Sequence, residues 1–399
     1  MTADVRRFMP YGRQHIDDDD VAAVVDALKS DFLTTGPAIE RFESGLSDVT
    51  GAAHMVACSS GTAALHLACM AAGLGPDDAV VVPAITFVAT ANTPRFTGAE
   101  IVFADVDSET GLMEADHVSA AIARAERPVR AIFTVHLNGQ CANLDALRAL
   151  ADRHGAWLIE DACHALGSRY RGTNVGAGLY GEMVCFSFHP VKTIACGEGG
   201  AVGTNDPVLA ARMARLRNHG IERNPAAFTQ PDEAQSKNGT PAPWYYEMSE
   251  PGYNYRMSDL HAALGASQLT KLDRFADVRR TLVTAYRDAL APLAPIVRPV
   301  PQGADNDPCW HLMVVLIDFD AAGKDRSEVM DTLRAGGIGS QVHYVPVPSQ
   351  PYYRQVAGGG TYPGAREYYC RCLSLPLHTG MSETDVASVV AALKRALEI

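Results

Sequence analysis

This 399-residue sequence predicts an α/β fold: a mainly parallel sheet with helices on both faces, followed by a small α+β C-terminal unit. Three observations predict it. Strand-like and helix-like segments alternate through the first 220 residues, the pattern of strands joined by helical crossovers. Residues capable of chemistry sit just past the ends of several apolar runs, where such sheets bind ligands. Residues 294–399 mix strand and helix signals without the alternation.

The elements follow in order. DDDDVAAVVDALKS (17–30) opens on acids and keeps an apolar face, so it reads as a helix with a favourable N-terminus. HMVAC (54–58) is a short strand, and GTAALHLACMAAG (61–73) a helix. DAVVVP (78–83) is a strand, and FVATANTPRFTG (87–98) is helical. IVFADV, RAIFTVHL and AWLIED read as strands, separated by helices at 114–125 and 143–154. MVCFSF (183–188) and AVGT (201–204) close the series. Residues 223–251 are rich in Pro, Gln, Ala and Gly without periodicity, and a loop of that length is functional or disordered. Residues 257–290 read as one long helix, giving a large domain over 1–256 and a smaller one over 257–399. The small domain carries strands in HLMVVLIDF and SQVHYVP and helices near 326–336 and 383–397.

Composition narrows the function. A net charge of −12 argues against a general nucleic-acid surface. Hydrophobic residues at 47% supply a full core. The nine cysteines form no CxxC and no zinc spacing, so no metal site is expected. They read as reduced core residues of a cytoplasmic protein. The N-terminal residues lack a signal-peptide core, and no apolar run reaches the ~18 residues of a membrane span.

GAGLYG (176–181) fits G-x-G-x-x-G by letter only, since a strand-like run follows it where the dinucleotide motif needs a helix. It reads as a turn. The stronger signal is spread over four strand ends. SSGTAAL (59–65) opens a helix with small residues, and a helix N-terminus binds phosphate. Phe87 offers a ring for stacking. Asp161 ends an apolar strand, where an ionised carboxylate needs a partner such as a protonated ring nitrogen. Lys192 follows another strand and precedes a Gly-rich turn. A phosphate cradle, a stacking ring, a carboxylate and an amine are what pyridoxal 5′-phosphate requires. Each also admits a plain role: a capped helix, a core Phe, an N-cap Asp.

Taken with TTGP (34–37), PAITFVATAN (83–92), EDACHALG (160–167), SFHPVKTIACGEGG (187–200), GYNYRMSDLHAALG (252–265) and QVHYVP (341–346), these motifs resemble the DegT/DnrJ/StrS sugar aminotransferases across nearly the whole chain. The resemblance implies a type I pyridoxal-phosphate transferase of the aspartate-aminotransferase kind. It implies Lys192 as the lysine bound to the cofactor and Asp161 as the pyridinium partner. Ser187 and Gly61–Thr62–Ala63 would hold the phosphate, Phe87 the ring, and His164 would lie near the phenolic oxygen. Asn254 resembles a phosphate ligand from the partner subunit, which implies a homodimer with shared sites. L-glutamate would be the amino donor and a nucleotide-linked keto sugar the acceptor.

Within the family, FMPYGRQHID, SDFLTTGPAIERFE, VHLNGQ, SFHPVK and QVHYVPV followed by PYYRQ are most similar to aminotransferases of pseudaminic acid biosynthesis. Those aminate C4 of UDP-2-acetamido-2,6-dideoxy-β-L-arabino-hex-4-ulose. Enzymes making 4-amino-4-deoxy-arabinose or perosamine, C3 sugar aminotransferases, and a non-catalytic relative remain alternatives. The substrate residues so implied are Thr34, Thr35, Gln140, Arg256, His343 and Tyr344. Each has a structural alternative, in a turn, an ion pair or simple packing.

Overall fold

The computed structural model describes residues 8–230, 233–357 and 360–399. Seven strands form the central sheet: β1 (His54–Cys58), β2 (Ala79–Pro83), β3 (Glu100–Ala104), β4 (Val129–Val135), β5 (Trp157–Asp161), β6 (Met183–Ser187) and β7 (Gly200–Thr204). Their order is β1-β7-β6-β5-β4-β2-β3. The pairs from β6 through to β3 are parallel, and β7 runs antiparallel to both β1 and β6. Six strands therefore point one way, and their carboxyl ends share one edge. The register Val135↔Asp161↔Cys185 keeps the ends of β4 and β5 level, with β6 running on to Ser187. β2, AVVVP, is buried at every position, as a strand covered on both faces must be.

Two apolar cores flank this sheet. One contains Phe42, Leu46, Ile132 and Phe186, the other Leu65, Leu67, Phe133 and Met213. A third core, built from residues 282–397 with Met9 against it, covers a sheet of β8 (Val297–Pro299), β9 (Met313–Ile317) and β10 (Cys372–Leu375).

Several expectations need correction. Residues 257–290 form two helices, Asp259–Leu269 and Leu272–Leu290, broken at Thr270–Lys271. Met257, Leu269 and Phe275 pack in the core of the large sheet while Leu282 and Tyr286 pack in the third, so the change of core falls inside the second helix. SQVHYVP is not a strand: only Gln341 bridges, to Ser374, and the rest is irregular. The 223–251 segment carries a one-turn helix at Pro225–Ala227 and a strand, Glu247–Met248, paired with Ile221–Glu222. Helices at Pro37–Thr50, Pro207–Leu216, Pro351–Val356 and Pro363–Arg371 were not read from the sequence. Each begins on Pro, whose fixed φ and missing N–H suit the first turn, and that signal could have found them. GAGLYG lies in turns before β6, with Gly176 and Gly178 at positive φ. All nine cysteines are free, but Cys163 is only half-buried and Cys370 is exposed. Among the described residues no helix is long and apolar enough to cross a membrane, and no cluster of side chains could hold a metal ion.

Candidate active site

A cavity of about 850 Å³ opens at the carboxyl edge of the sheet. β1 delivers Ser59 and Ser60, then the helix Gly61–Ala71. Ser60 caps that helix by accepting from the Ala63 N–H at 3.1 Å. The N–H groups of the first turn have no partner inside the helix, and Gly61 and Thr62 line the cavity. Glycine is required here for close approach. A Cβ on Gly61 would lie 2.8 Å from Ser187 Cβ, and one on Gly200 would lie 2.3 Å from the Ser60 carbonyl oxygen. The Gly-rich turn before β7 thus lets three chain segments meet around Ser60, Gly61 and Ser187.

β5 ends on Asp161, which is 5% exposed. Its Oδ2 accepts from Thr90 Oγ1 at 2.7 Å and its Oδ1 from the Cys163 N–H at 3.2 Å. Thr90 in turn shares a 2.7 Å hydrogen bond with Thr86. The carboxylate is held by fixed donors at the cavity wall. Phe87 is 55% exposed, although it is a large apolar ring at a helix N-cap. An uncovered Phe at a cavity mouth is a surface for a planar ligand.

Lys192 follows β6 and lines the same cavity. Burial lowers the pKa of its amine, against the pull of Cys163 and Asp161. The same cavity is rich in imidazole, with His164, His311 and His343 in its lining. The rings of His164 and His311 lie 4.2 Å apart. Both are pushed well below the usual histidine value, His164 by burial and then Lys192, His311 by burial and then His164. Burial, then Lys192, lowers His343 to about 3. All three imidazoles are therefore neutral near pH 7. Tyr344 joins them through a 3.2 Å hydrogen bond to His164, and its phenol is pushed up by burial.

Residues 14–394 match the model of the DegT/DnrJ/EryC1/StrS aminotransferase family. The chain belongs to that family. It is 38% identical over 390 residues to the spore coat polysaccharide biosynthesis protein SpsC of Bacillus subtilis (strain 168), covering 97% of this chain and 96% of SpsC. Its structure is similar to Helicobacter pylori PseC, an aminotransferase of pseudaminic acid biosynthesis. The TM-score is 0.87 at 26% identity, covering 98% of this chain and all of PseC. The pyridoxal-phosphate form of Spr1654 from Streptococcus pneumoniae, described as a sugar aminotransferase by assignment, matches with a TM-score of 0.86 at 27% identity, over 98% of this chain and 99% of that one.

As a member of this family the protein is an aminotransferase that uses pyridoxal phosphate. The residues present fit that cofactor. A helix N-terminus free of side-chain bulk suits its phosphate, the uncovered Phe87 its ring, the buried Asp161 its pyridinium nitrogen, and Lys192 its aldehyde carbon. When bound, the cofactor supplies the electron sink that amino transfer needs.

Of the residues picked from sequence, Gly61, Thr62, Phe87, Asp161, His164, Ser187, Lys192, His343 and Tyr344 line this one cavity. Ala63 does not line it and serves through its N–H to Ser60. Gln140 lies outside the lining: both ends of its amide are engaged by backbone, Nε2 by Pro301 and Oε1 by the Gly303 N–H, and it is buried. Thr34 and Thr35 are exposed outside the lining. Thr34 bridges to Ser258, and Thr35 makes a turn at φ 56°. Arg256 donates to Asn218 Oδ1 at 2.6 Å, and Asn254 is exposed outside this chain's own cavity. The sequence reading missed Thr86, Thr90, Tyr11 and His311. Thr86 and Thr90 sit inside the PAITFVATAN motif and Tyr11 inside FMPYGRQHID, and those positions were the signal that pointed towards them.

Proposed function

We propose that the protein transfers an amino group from L-glutamate to C4 of a nucleotide-linked 4-keto-6-deoxy sugar. The acceptor is UDP-2-acetamido-2,6-dideoxy-β-L-arabino-hex-4-ulose, within pseudaminic acid biosynthesis. The observation that carries this reading is the full-length likeness to PseC, with Lys192 and Asp161 facing one cavity of about 850 Å³. In this reading Lys192 binds the cofactor and moves a proton at Nζ, which its weakened proton affinity permits near neutral pH. Asp161 pairs with the pyridinium, Ser187 and the Gly61–Thr62–Ala63 turn hold the phosphate, and Phe87 covers the ring. His343 and Tyr344 face the substrate. Asn254 completes the site of a partner subunit in a homodimer. The name of SpsC, a spore coat polysaccharide protein, supports sugar chemistry without favouring this pathway.

The test is a single-turnover measurement. Purified protein is loaded with pyridoxamine phosphate, and UDP- and dTDP-linked 4-keto sugars are added one at a time. Return of the visible cofactor band is followed. Fast return with the UDP-2-acetamido-L-arabino-hexulose alone is expected. Return only with another keto sugar would retain amino transfer and remove the pathway. Failure with every sugar, with cofactor bound, would place the acceptor outside these 4-keto sugars.

A further inference from the structure

The imidazole-rich wall of the cavity has a proton arrangement that its hydrogen bonds determine. Nδ1 of His164 lies 3.3 Å from the backbone nitrogen of Asn138, and that N–H can only donate. Nδ1 is therefore the bare nitrogen of a neutral ring, and the proton sits on Nε2. Nε2 lies 3.2 Å from the Tyr344 hydroxyl, so His164 donates and Tyr344 Oη accepts. A hydroxyl that accepts in this way still has its own hydrogen to donate. Tyr344 lines the cavity, with its ring 6.1 Å from Phe87.

Asn138 is built to hold this order. It sits at φ 61° between β4 and β5, in the left-handed region that Asn tolerates better than most residues. Its Oδ1 accepts from the Leu312 N–H at 2.6 Å and its carbonyl from the His311 N–H at 3.4 Å. One residue thus fixes both the His164 proton and the strand lead that carries His311.

We propose that Tyr344, not His164, is the direct hydrogen-bond donor from this wall to an acceptor oxygen of the bound cofactor or substrate, with His164 a positioning residue whose tautomer Asn138 sets. The proposal rests on the cofactor assignment and not on the identity of the sugar, so the two readings fail separately. The ionisable groups facing Tyr344 are Asp161, Cys163, His164, His343, Tyr11 and Tyr368.

Two measurements test it. Holoprotein labelled with ¹⁵N-histidine, with His164 assigned by its loss in His164→Gln, is examined by two-bond proton–nitrogen correlation. A protonated Nε2 and a bare Nδ1 are expected, and a protonated Nδ1 overturns the proposal. The visible band of the holoenzyme is then titrated with pH in wild type and Tyr344→Phe. If the acceptor is the cofactor's phenolic oxygen, the midpoint rises by about one unit or more, since one charge-assisted hydrogen bond is lost. The oxygen without its donor holds the neighbouring proton more tightly. His164→Ala should shift the midpoint in the same direction. His164→Gln, whose amide offers one acceptor and one donor, should shift it less. If the acceptor belongs to a substrate, the midpoint stays and KM for that substrate rises about tenfold with kcat nearly unchanged. A Tyr344→Phe enzyme with an unmoved midpoint and unmoved KM values for both substrates sinks the proposal.

Discussion

At the scale of single residues, the buried histidines connect the site to stability. His343 has a folded pKa of about 3, and its Nδ1 shares a 2.8 Å hydrogen bond with the buried Ser374 hydroxyl. An unfolded histidine titrates near ~6.5. Above that value the ring is neutral in both states and adds no pH dependence. Below it the unfolded chain takes up the proton first, so stability is lost as pH falls from about 6.5 towards 3. At pH 5 this amounts to about 2 kcal/mol for His343 alone, at ~1.4 kcal/mol for each pH unit. Urea unfolding of cofactor-free protein at pH 7 and pH 5 should show the loss, and His343→Gln should reduce it by about that amount. Equal losses in the two proteins would remove His343 as the cause. His136 has the opposite sign. Burial depresses it, but Cys141 and Glu160, whose Oε2 lies 2.7 Å away, outweigh that and raise it to about 10. Its contribution is complete below about 6.5 and is lost as pH rises towards 10, so it does not obscure the acid window.

At the scale of elements, the helix Asp18–Lys29 illustrates what a pattern can and cannot carry. Its four leading acids read as N-terminal charge, and Asp17 does cap it. Asp20, however, is fully buried. It accepts from Ser267 Oγ at 2.7 Å and Gln268 Nε2 at 2.6 Å, and it pairs with Lys271 Nζ at 2.8 Å. Those partners stand at the end of the helix Asp259–Leu269 and at the break after it. The break that divides 257–290 is thus the docking point for the first helix. Lys271 also pairs with Asp17, so removing Asp20 does not strand its charge, but it leaves Ser267 Oγ, Gln268 Nε2 and one side of Lys271 without their buried acceptor, at about 1–3 kcal/mol. Asp20→Ala should therefore lower the unfolding free energy by that order and make residues 17–30 an early protease site. A loss below about 1 kcal/mol with no new cleavage would show that the ion pair does not dock the helix. The strand–helix alternation around β1–β7 was legible because each strand is a short apolar run bounded by turn residues. The Lys271 break was not, since the helical period continues across it and only the distant partners of Asp20 explain it. QVHYVP looked like a strand by its β-forming residues. His343 and Tyr344 instead leave the ladder to face a cavity, and no periodicity encodes that. The placing of Gln140 outside the cavity lining was not legible for a related reason: a buried amide satisfied by the Pro301–Gly303 backbone has the same letter as one that meets a ligand.

At the scale of the whole molecule, one chain leaves apolar surface uncovered next to a residue with no role in its own cavity. Phe96 and Tyr253 are 58% and 44% exposed, and both rings pack against His66. Tyr255 stacks on Tyr253 at 4.9 Å, and Asn254 lies between the two in sequence. In the proposed homodimer a second copy of the chain covers this aromatic surface and carries Asn254 towards the other subunit's site. The proposed homodimer therefore has a functional consequence beyond its mass. Each site would take Lys192 from one subunit and Asn254 from the other. Lys192→Ala and Asn254→Ala proteins are each expected to be severely impaired. Mixed in equal amounts through an unfolding and refolding cycle, half of the dimers would pair one variant with the other, and one of the two sites in each such dimer would be intact. Activity should then return to about a quarter of the wild-type level, following the statistics of a two-fold assembly. Mixing without subunit exchange should restore nothing. A refolded mixture no more active than the separate variants, with heterodimers present by mass, would mean that each chain builds its site alone and that Asn254 serves the fold rather than its neighbour's chemistry.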